Sequence, residues 1–406
     1  MMRNIREKLY GYRWPPESPA ILNASSFAVL STRFLLDVSP STCDAQEYEE
    51  ELVRSHMRML YSVHQDRQVK VTGSSPEPLL AEAAADIMHC CIGPVGNEKP
   101  YMNVWCLLGE FIEHGLIAQG DIGGLIGRAL SISAMDRAID ALPKEDVRQL
   151  TYQTPVTVAD YYKAFLTDEA WETLRRSTPA NCAHLSEDSA TKTFETAFAH
   201  AYFHFSHFGK ANDSAPMRDD YAWAIWLRGT AIVCQLNQEL SRVAPIYFSD
   251  PVRGVCPETM SVNLDQDKTS LSADPHAIAV QSAEALSIFS PGKKLPYIAA
   301  VHCYALTKNE GVTVTTANRR SPRNIKLTND EEAPRYQINF HGLAAYRGLD
   351  VPTKAIVRSM INNAQNALFN QHPRPSSVPF LRRMLPVLTA DPDSVAWFGG
   401  LRNAGR

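Results

Sequence analysis

The sequence predicts an α+β protein in which a helical N-terminal half packs on a mixed α/β core and a C-terminal extension follows. Three observations carry this expectation. Apolar residues recur at helical spacing through most of 44–177. The period then shortens, and three β-rich runs at 228–236, 243–248 and 260–267 are separated by turn residues. Finally, 296–306 (PYIAAVHCYAL) is a near-continuous apolar run, the composition of a strand buried on both sides. The expected regions are a helical 1–186, an α/β core 187–310 and an extension 311–406 of mixed loop, strand and helix.

The first fourteen residues are basic and aromatic (Tyr10, Tyr12, Trp14) and lack the apolar stretch of a secretory signal. Their rings suit stacking on bases or capping of the helical half. A helix is expected over 44–64, with Leu52, Met59, Leu60 and Val63 on one stripe. Its acids come first and Arg54 and Arg58 later, the order that suits the helix dipole. Ser75-Pro76-Glu77-Pro78 is a start signal for a helix at 79–91, and 101–117 is apolar enough to be buried. At 121–142, Ile122, Leu125, Ile126, Ala129, Leu130 and Ile132 make a broad stripe. Gly123, Gly124 and Gly127 within it invite a phosphate-loop reading, but no GK[ST] ending and no preceding strand accompany them. Close helix–helix packing through small residues is expected instead. Helices follow at 157–177 and 187–209, the second carrying Phe194, Phe198, Tyr202, Phe203, Phe205 and Phe208. Beyond the three strands, a helix is expected at 274–289, a short strand at 312–316 and a polar loop at 319–334. A strand at 336–340 and a helix at 351–369 precede a proline-rich end.

Composition narrows the function classes. A chain of 406 residues, 45% hydrophobic and 21% charged, is not a disordered one. A net charge of −4 makes no case for non-specific binding to nucleic acid or an anionic membrane. Any such surface would be a local patch, and the basic clusters (Arg319, Arg320, Arg323, Lys326; Arg382, Arg383) are short. The eight cysteines are irregularly spaced without a CxxC pair, as expected of free thiols in a reducing compartment. No run of about 18 apolar residues exists. The expectation is a soluble intracellular protein of cytoplasm or nucleus with no membrane partner.

The segment 260–268 holds the leading candidate residues. Strand alternation puts Val262, Leu264, Gln266 and Lys268 on one face and Asn263, Asp265 and Asp267 on the other. Phosphodiesterases that use a divalent metal often end a core strand with an acid or amide and a lysine two residues apart, as Gln266 and Lys268 stand here. His200, His204 and His207 share a helical face at i, i+4 and i+7. Two histidines four apart can grip zinc, but no H-E-x-x-H pattern is present, and a polar seam on an aromatic helix is the plainer expectation. Glu195 is a possible accessory acid, and Gln235 and Gln238 could bond a phosphate or sugar.

Thr193-Phe194-Glu195-Thr196-Ala197-Phe198, Phe205-Ser206-His207-Phe208-Gly209-Lys210, and Arg228-Gly229-Thr230-Ala231-Ile232-Val233-Cys234 with Asn237-Gln238 resemble segments of a group of uncharacterised fungal, mostly basidiomycete, proteins. So do Thr72-Gly73-Ser74-Ser75-Pro76-Glu77-Pro78 and Gly123-Gly124-Leu125-Ile126-Gly127-Arg128. The resemblance spans about 19–306. Fuller members of the group resemble the Crinkler-like architecture, an ATP-binding region ahead of a restriction-endonuclease-like PD-(D/E)XK core. The ATPase part is lacking here, since no G-x-x-x-x-G-K-[ST] occurs. The resemblance implies a mixed-sheet core ordered helix, strand, strand, strand, helix, strand. It also implies a magnesium site made by an acid on the second strand and Glu or Gln on the third, with a lysine orienting the attacking water. Gln266 and Lys268 fit the third strand, but the second-strand acid position is Arg242, and the nearest substitute is Asp250. Asp265 and Asp267 imply that the third strand is less buried than its counterparts. The expectation is a degenerate nuclease-fold protein, catalytically impaired and without a cofactor, that acts as a binding or interaction module toward DNA or a protein. One alternative is a magnesium-dependent DNA endonuclease with a rewired site of Asp250, Gln266 and Lys268, assisted by Glu195. The other is an effector-like interaction protein with no nucleic-acid role.

Overall fold

The computed structural model describes residues 1–11, 23–38, 43–63, 70–92, 104–114, 116–117, 122–143, 151–181, 185–211, 218–234, 240–269, 283, 286, 288–290, 292–307, 310–315 and 333–365. Most of the expected helix at 274–289, most of the loop at 319–334 with its basic cluster, the proline-rich end, Tyr12, Trp14, Gln235 and Gln238 lie outside the described residues.

The described chain begins with α1 (Met2–Tyr10), α2 (Ala24–Phe34) and α3 (Cys43–Ser55), then a hairpin of β1 (Met59–Val63) and β2 (Lys70–Gly73). Helices α4 (Pro78–Ile92), α5 (Val104–Glu113) and α6 (Ile122–Asp140) follow. Next come β3 (Val156–Thr157), α7 (Val158–Phe165), α8 (Asp168–Arg175), α9 (Glu187–Thr191), α10 (Phe194–Ala197), β4 (Ala201–Phe203), β5 (His207–Lys210) and α11 (Asp219–Leu227). The remaining elements are β6 (Thr230–Val233), β7 (Arg242–Phe248), β8 (Met260–Lys268), β9 (Tyr297–Cys303), β10 (Gly311–Thr315), β11 (Arg335–His341) and α12 (Val351–Gln365). The expected mixture of helix and sheet is present.

Nine strands form one mixed sheet in the order β10-β11-β9-β8-β7-β4-β3, with β6 also pairing β7 and β5 pairing β6. Strand β7 is antiparallel to β8, whereas β8, β9 and β11 run parallel. The free edge of β7 is shared: β4 pairs with Ile246–Phe248 and β6 with Arg242 and Val243. Alternation sends Ala244, Ile246, Ile298, Ala300, Ile338 and Phe340 to one side, where a single apolar cluster runs from Leu9 to Ile361. Helices on both sides of residue 186 therefore share their core with the sheet. Val243, Val262, Leu264, Ala299, Val301 and Cys303 face the opposite side and pack with Ala222 and Trp226 of α11.

Local signals explain the helix ends. The Asn23 side chain accepts the Ser26 N–H at 2.9 Å to open α2, and Thr157 caps Asp160 at 3.0 Å to open α7. All of α2 is buried. Helix α6 is buried on several sides at once, which is why its apolar residues spread around it.

Three expected helices are corrected. The one at 44–64 stops at Ser55, because Met57 turns left-handed (φ 59) and Arg58 Nε donates to Thr72 Oγ1 at 2.7 Å. Met59, Leu60 and Val63 are therefore exposed hairpin residues. The helix at 157–177 breaks into α7 and α8, where Leu166 bridges Tyr346 and Thr167 N–H donates to the Ala345 carbonyl at 2.9 Å. The aromatic helix at 187–209 is two short helices and two strands. Ala201, Phe203 and Phe205 point into one core at period two, a strand pattern that the density of rings disguises as a helical stripe. Gly123 and Gly127 of α6 lie against the end of β8 rather than against another helix. A Cβ on Gly123 would meet Thr269 Cγ2 at 3.2 Å and the Asp267 carbonyl oxygen at 3.7 Å.

Candidate functional site

Strand β8 is apolar toward α11 and polar toward α6 and α7. Register sets the polar side: Arg242 lies directly across from Asp265, so its guanidinium shares a side with Asn263, Asp265 and Asp267. Arg242 grips Asp267 with two bonds, Nε to Oδ2 at 2.8 Å and Nη2 to Oδ1 at 3.0 Å. Nη1 donates to the Gly127 carbonyl at 2.9 Å and to Ser131 Oγ, and stands 3.8 Å from Asp265. Asp265 accepts from Asn263 Nδ2 at 2.8 Å and meets His302 Nε2 at 3.0 Å. His302 Nδ1 meets Tyr346 Oη at 2.9 Å, Tyr304 Oη donates to Asp267 Oδ1 at 2.7 Å, and Tyr162 Oη donates to Asn263 Oδ1 at 3.1 Å.

The Asp267 carboxylate is wholly buried and the Arg242 side chain is 3% exposed. Burial alone would push Asp265 up, but the Arg242 charge and the bonds from His302 and Asn263 hold it below the ordinary carboxylate range. Burial would likewise lower Arg242, yet Asp267 and Asp265 keep it far above its ordinary value. Burial, with Asp267 nearby, drives the Tyr304 and Tyr346 phenols well above theirs. The cluster thus holds Asp265 ionised and its Tyr304 and Tyr346 phenols protonated. Gly127 permits it, since a Cβ there would lie 2.5 Å from Asp267 Oδ1 and 2.8 Å from Arg242 Cζ.

The sequence-predicted residues are not assembled into one centre. Gln266 shares the opposite side of the sheet with Val262 and Leu264, away from Arg242, and its buried Oε1 has no hydrogen-bond partner among the described residues. Lys268 ends the same strand, half-buried. Arg242 does not fill a position beside Gln266, because pairing with Asp265 turns it to the other side. Asp250 follows β7 at the end where Tyr247 pairs Met260. Six strand residues, about 20 Å, separate that end from Gln266. There Asp250 Oδ1 accepts the N–H groups of Val252 (2.9 Å) and Arg253 (3.0 Å), and these bonds lower its pKa. It is a turn residue. Glu195 is exposed and pairs with Arg175 Nη1 at 3.1 Å. The back face of β8 is not less buried: Asn263 is 3% and Asp265 5% exposed, because α7 covers Asn263 with Tyr162 while β7 and β9 supply Arg242 and His302 to Asp265.

The three histidines share no helix. His200 is an exposed turn residue, and buried His204 stands edge-on to Trp226 with centroids 4.9 Å apart. His207 begins β5, bonding Thr230 Oγ1 at 2.9 Å and Ser206 Oγ at 3.2 Å. Burial pushes its pKa down to about 4. Among the described residues no group of three or more His, Cys, Asp or Glu side chains is arranged to hold a metal ion.

A second buried ionic cluster was not foreseen. Arg33 of α2 grips Asp136 of α6 with two bonds of 2.7 Å and donates to the Ser206 carbonyl at 3.1 Å. His89 Nε2 adds a contact to Asp136 at 3.0 Å, and its ring stacks on Tyr152. The available signal was charge inside two apolar stretches, Arg33 in Phe27–Phe34 and Asp136, between Arg128 and Arg137, in Ile122–Ile139. Nearby, Glu82 accepts the Tyr152 N–H at 3.0 Å, and burial with Asp86 beside it raises its pKa to about 7. A raised folded-state pKa means that stability from this group is complete below its ordinary 4.5 and is lost as pH rises through 7. Glu82→Gln is therefore expected to stabilise the protein by about 2 kcal/mol at pH 8 and hardly at all near pH 5, read by urea unfolding at both values.

The chain matches no protein-family model, and searches of curated proteins and of solved structures also find no match.

Proposed function

We propose that this chain is a degenerate nuclease-fold protein of the restriction-endonuclease-like kind, in which an internal guanidinium stands where a divalent cation would, and that it serves as a binding or interaction module. The observation that carries the reading is the double bond of Arg242 to Asp267 with Asp265 at 3.8 Å. One or two carboxylates are what a magnesium ion takes from a protein in metal-assisted phosphodiester cleavage, and Asp265 and Asp267 bring two together on one central strand. Here both are committed to Arg242, His302, Asn263 and Tyr304, beneath α6 and α7. The order of elements supports the fold part of the proposal: β7 and β8 are antiparallel neighbours, and a crossover leads to β9, parallel to β8. The net charge of −4 favours a protein partner over DNA.

Incubation of plasmid DNA with the protein and magnesium or manganese is expected to give no cleavage by wild type or Lys268→Ala. Cleavage by wild type that Lys268→Ala abolishes would instead support a magnesium-dependent endonuclease built on Gln266, Lys268 and Asp250. A DNA-binding titration over a range of salt separates the partner classes. Affinity that falls steeply with salt marks a nucleic-acid binder, and its absence leaves protein partners.

A further inference from the structure

Helix α8 and the start of β10 border a cavity of about 240 Å³, and none of its lining residues belongs to the Arg242 or Arg33 cluster. The space equals roughly eight water volumes, room for a small organic molecule. His341, the last residue of β11, lines it, so the cavity lies at the carboxyl end of the parallel strands β8, β9 and β11. Ligands of open α/β sheets sit outside that end of the strands.

The chemistry of the wall is one-sided. Thr167, Glu169 and Thr173 come from the α8 side and Glu310 from the residue before β10, and no lysine or arginine is among the described lining residues. The Glu310 carboxylate is held in place by the fold. Its Oε2 accepts the Leu343 N–H at 2.9 Å, and its Oε1 accepts from Arg358 Nη2 at 2.8 Å. Gly342 makes room for it, because the backbone there is left-handed (φ 68) and a Cβ would collide with Glu310 Cγ. Each carboxylate oxygen has two lone pairs, so both keep one acceptor site. Arg358 balances the Glu310 charge. Glu169 is exposed, and its carboxylate has no ion-pair or hydrogen-bond partner among the described residues. Thr167 stands at the N-cap of α8 yet makes no cap bond, whereas Thr157 caps α7.

We propose that this cavity binds a small primary ammonium compound that carries hydroxyl groups. A primary ammonium has three N–H donors and no acceptor. Glu169, Glu310 and Thr167 offer it three acceptors in one cavity. Charge sets the class. An anion would face two carboxylates with no cation in the described wall, and a neutral polyol would leave the Glu169 charge unbalanced. Thr173 Oγ1 donates to the Glu169 carbonyl at 3.1 Å, which leaves its oxygen to accept from a ligand hydroxyl. Glu169 lies at the solvent side, so its ion pair with the ligand is worth little and the affinity is in the millimolar range. This inference is independent of the proposed function of the sheet.

The test is a saturation-transfer NMR titration of the full chain at pH 7 with serinol and with glycerol, which replaces the ammonium of serinol by a hydroxyl. Wild type, Glu169→Gln and Thr173→Trp are compared. Both substituted residues are exposed on α8, and circular-dichroism melts verify that the variants fold. Wild type is expected to bind serinol saturably, with glycerol about fivefold weaker or more. Glu169→Gln should weaken serinol by about the same factor and leave glycerol unchanged. Thr173→Trp, which puts a ring into the cavity, should abolish the binding of both. No saturable serinol signal, glycerol bound as tightly as serinol, or a serinol affinity that both folded variants retain would overturn the proposal.

Discussion

Arg242→Met is expected to destabilise the protein by about 3–5 kcal/mol at pH 7, the usual consequence of leaving buried charge uncompensated. The guanidinium has four destinations, the two oxygens of Asp267, the Gly127 carbonyl and Ser131 Oγ, and it stands 3.8 Å from Asp265. Its removal strands two carboxylates between the sheet and α6. The pH dependence should change sign with the substitution. In wild type Asp265 is held low, so its stabilisation is present above its ordinary value of 3.8 and is lost as pH falls through the lower folded value. Without Arg242, burial dominates and the carboxylate pKa values rise, so the deficit should be larger at pH 8 than at pH 5. Adding Asp267→Leu to Arg242→Met should recover part of the loss, with a coupling energy of about 2 kcal/mol or more in a double-mutant cycle of urea unfolding. A deficit below about 1 kcal/mol that does not vary with pH would mean that the pair is not what holds β7, β8 and α6 together.

Asp136→Asn is expected to cost about 3 kcal/mol at neutral pH, near the low end for breaking a buried pair because asparagine still accepts one bond from Arg33. The Arg33 side chain is completely buried, and it ties α2 to α6 and to the Ser206 carbonyl just before β5. Losing the charge opposite it should therefore loosen three elements together and leave unfolding cooperative with an unchanged denaturant slope. Burial works against the Asp136 carboxylate, yet the Arg33 charge and the bonds from Arg33 and His89 hold it far below the ordinary range. The wild-type contribution is thus retained well into acid. Asp136→Asn should bring unfolding to a higher pH, in the range where His207 must also take up a proton, between its ordinary 6.5 and its folded value of about 4.

The parts of the fold set by local pattern were legible in the sequence. The unbroken apolar run became β9, buried along its whole length, and Tyr336, Ile338 and Phe340 do share one core-facing side of β11. The alternation of Val262 and Leu264 was also read correctly. What local pattern could not reveal was register. Whether Arg242 faces Gln266 or Asp265 depends on how β7 is paired with β8, and a slip of one residue would reverse the answer. Asp265 and Asp267 looked like signs of an exposed strand because their partners, Arg242, His302 and Tyr304, lie 25–37 residues away in sequence. The hairpin at 59–73 was missed for a different reason. Leu52, Met59, Leu60 and Val63 fit a helical stripe, and only the left-handed turn at Met57 ends it.

Manganese titration of the wild-type protein by isothermal calorimetry, with Asp267→Asn in parallel, tests most directly the claim that Arg242 has taken the cation's place. The account predicts no saturable uptake by wild type at millimolar manganese. One-to-one uptake by wild type that Asp267→Asn abolishes would contradict it, since a divalent ion would then be displacing the guanidinium from its own carboxylates.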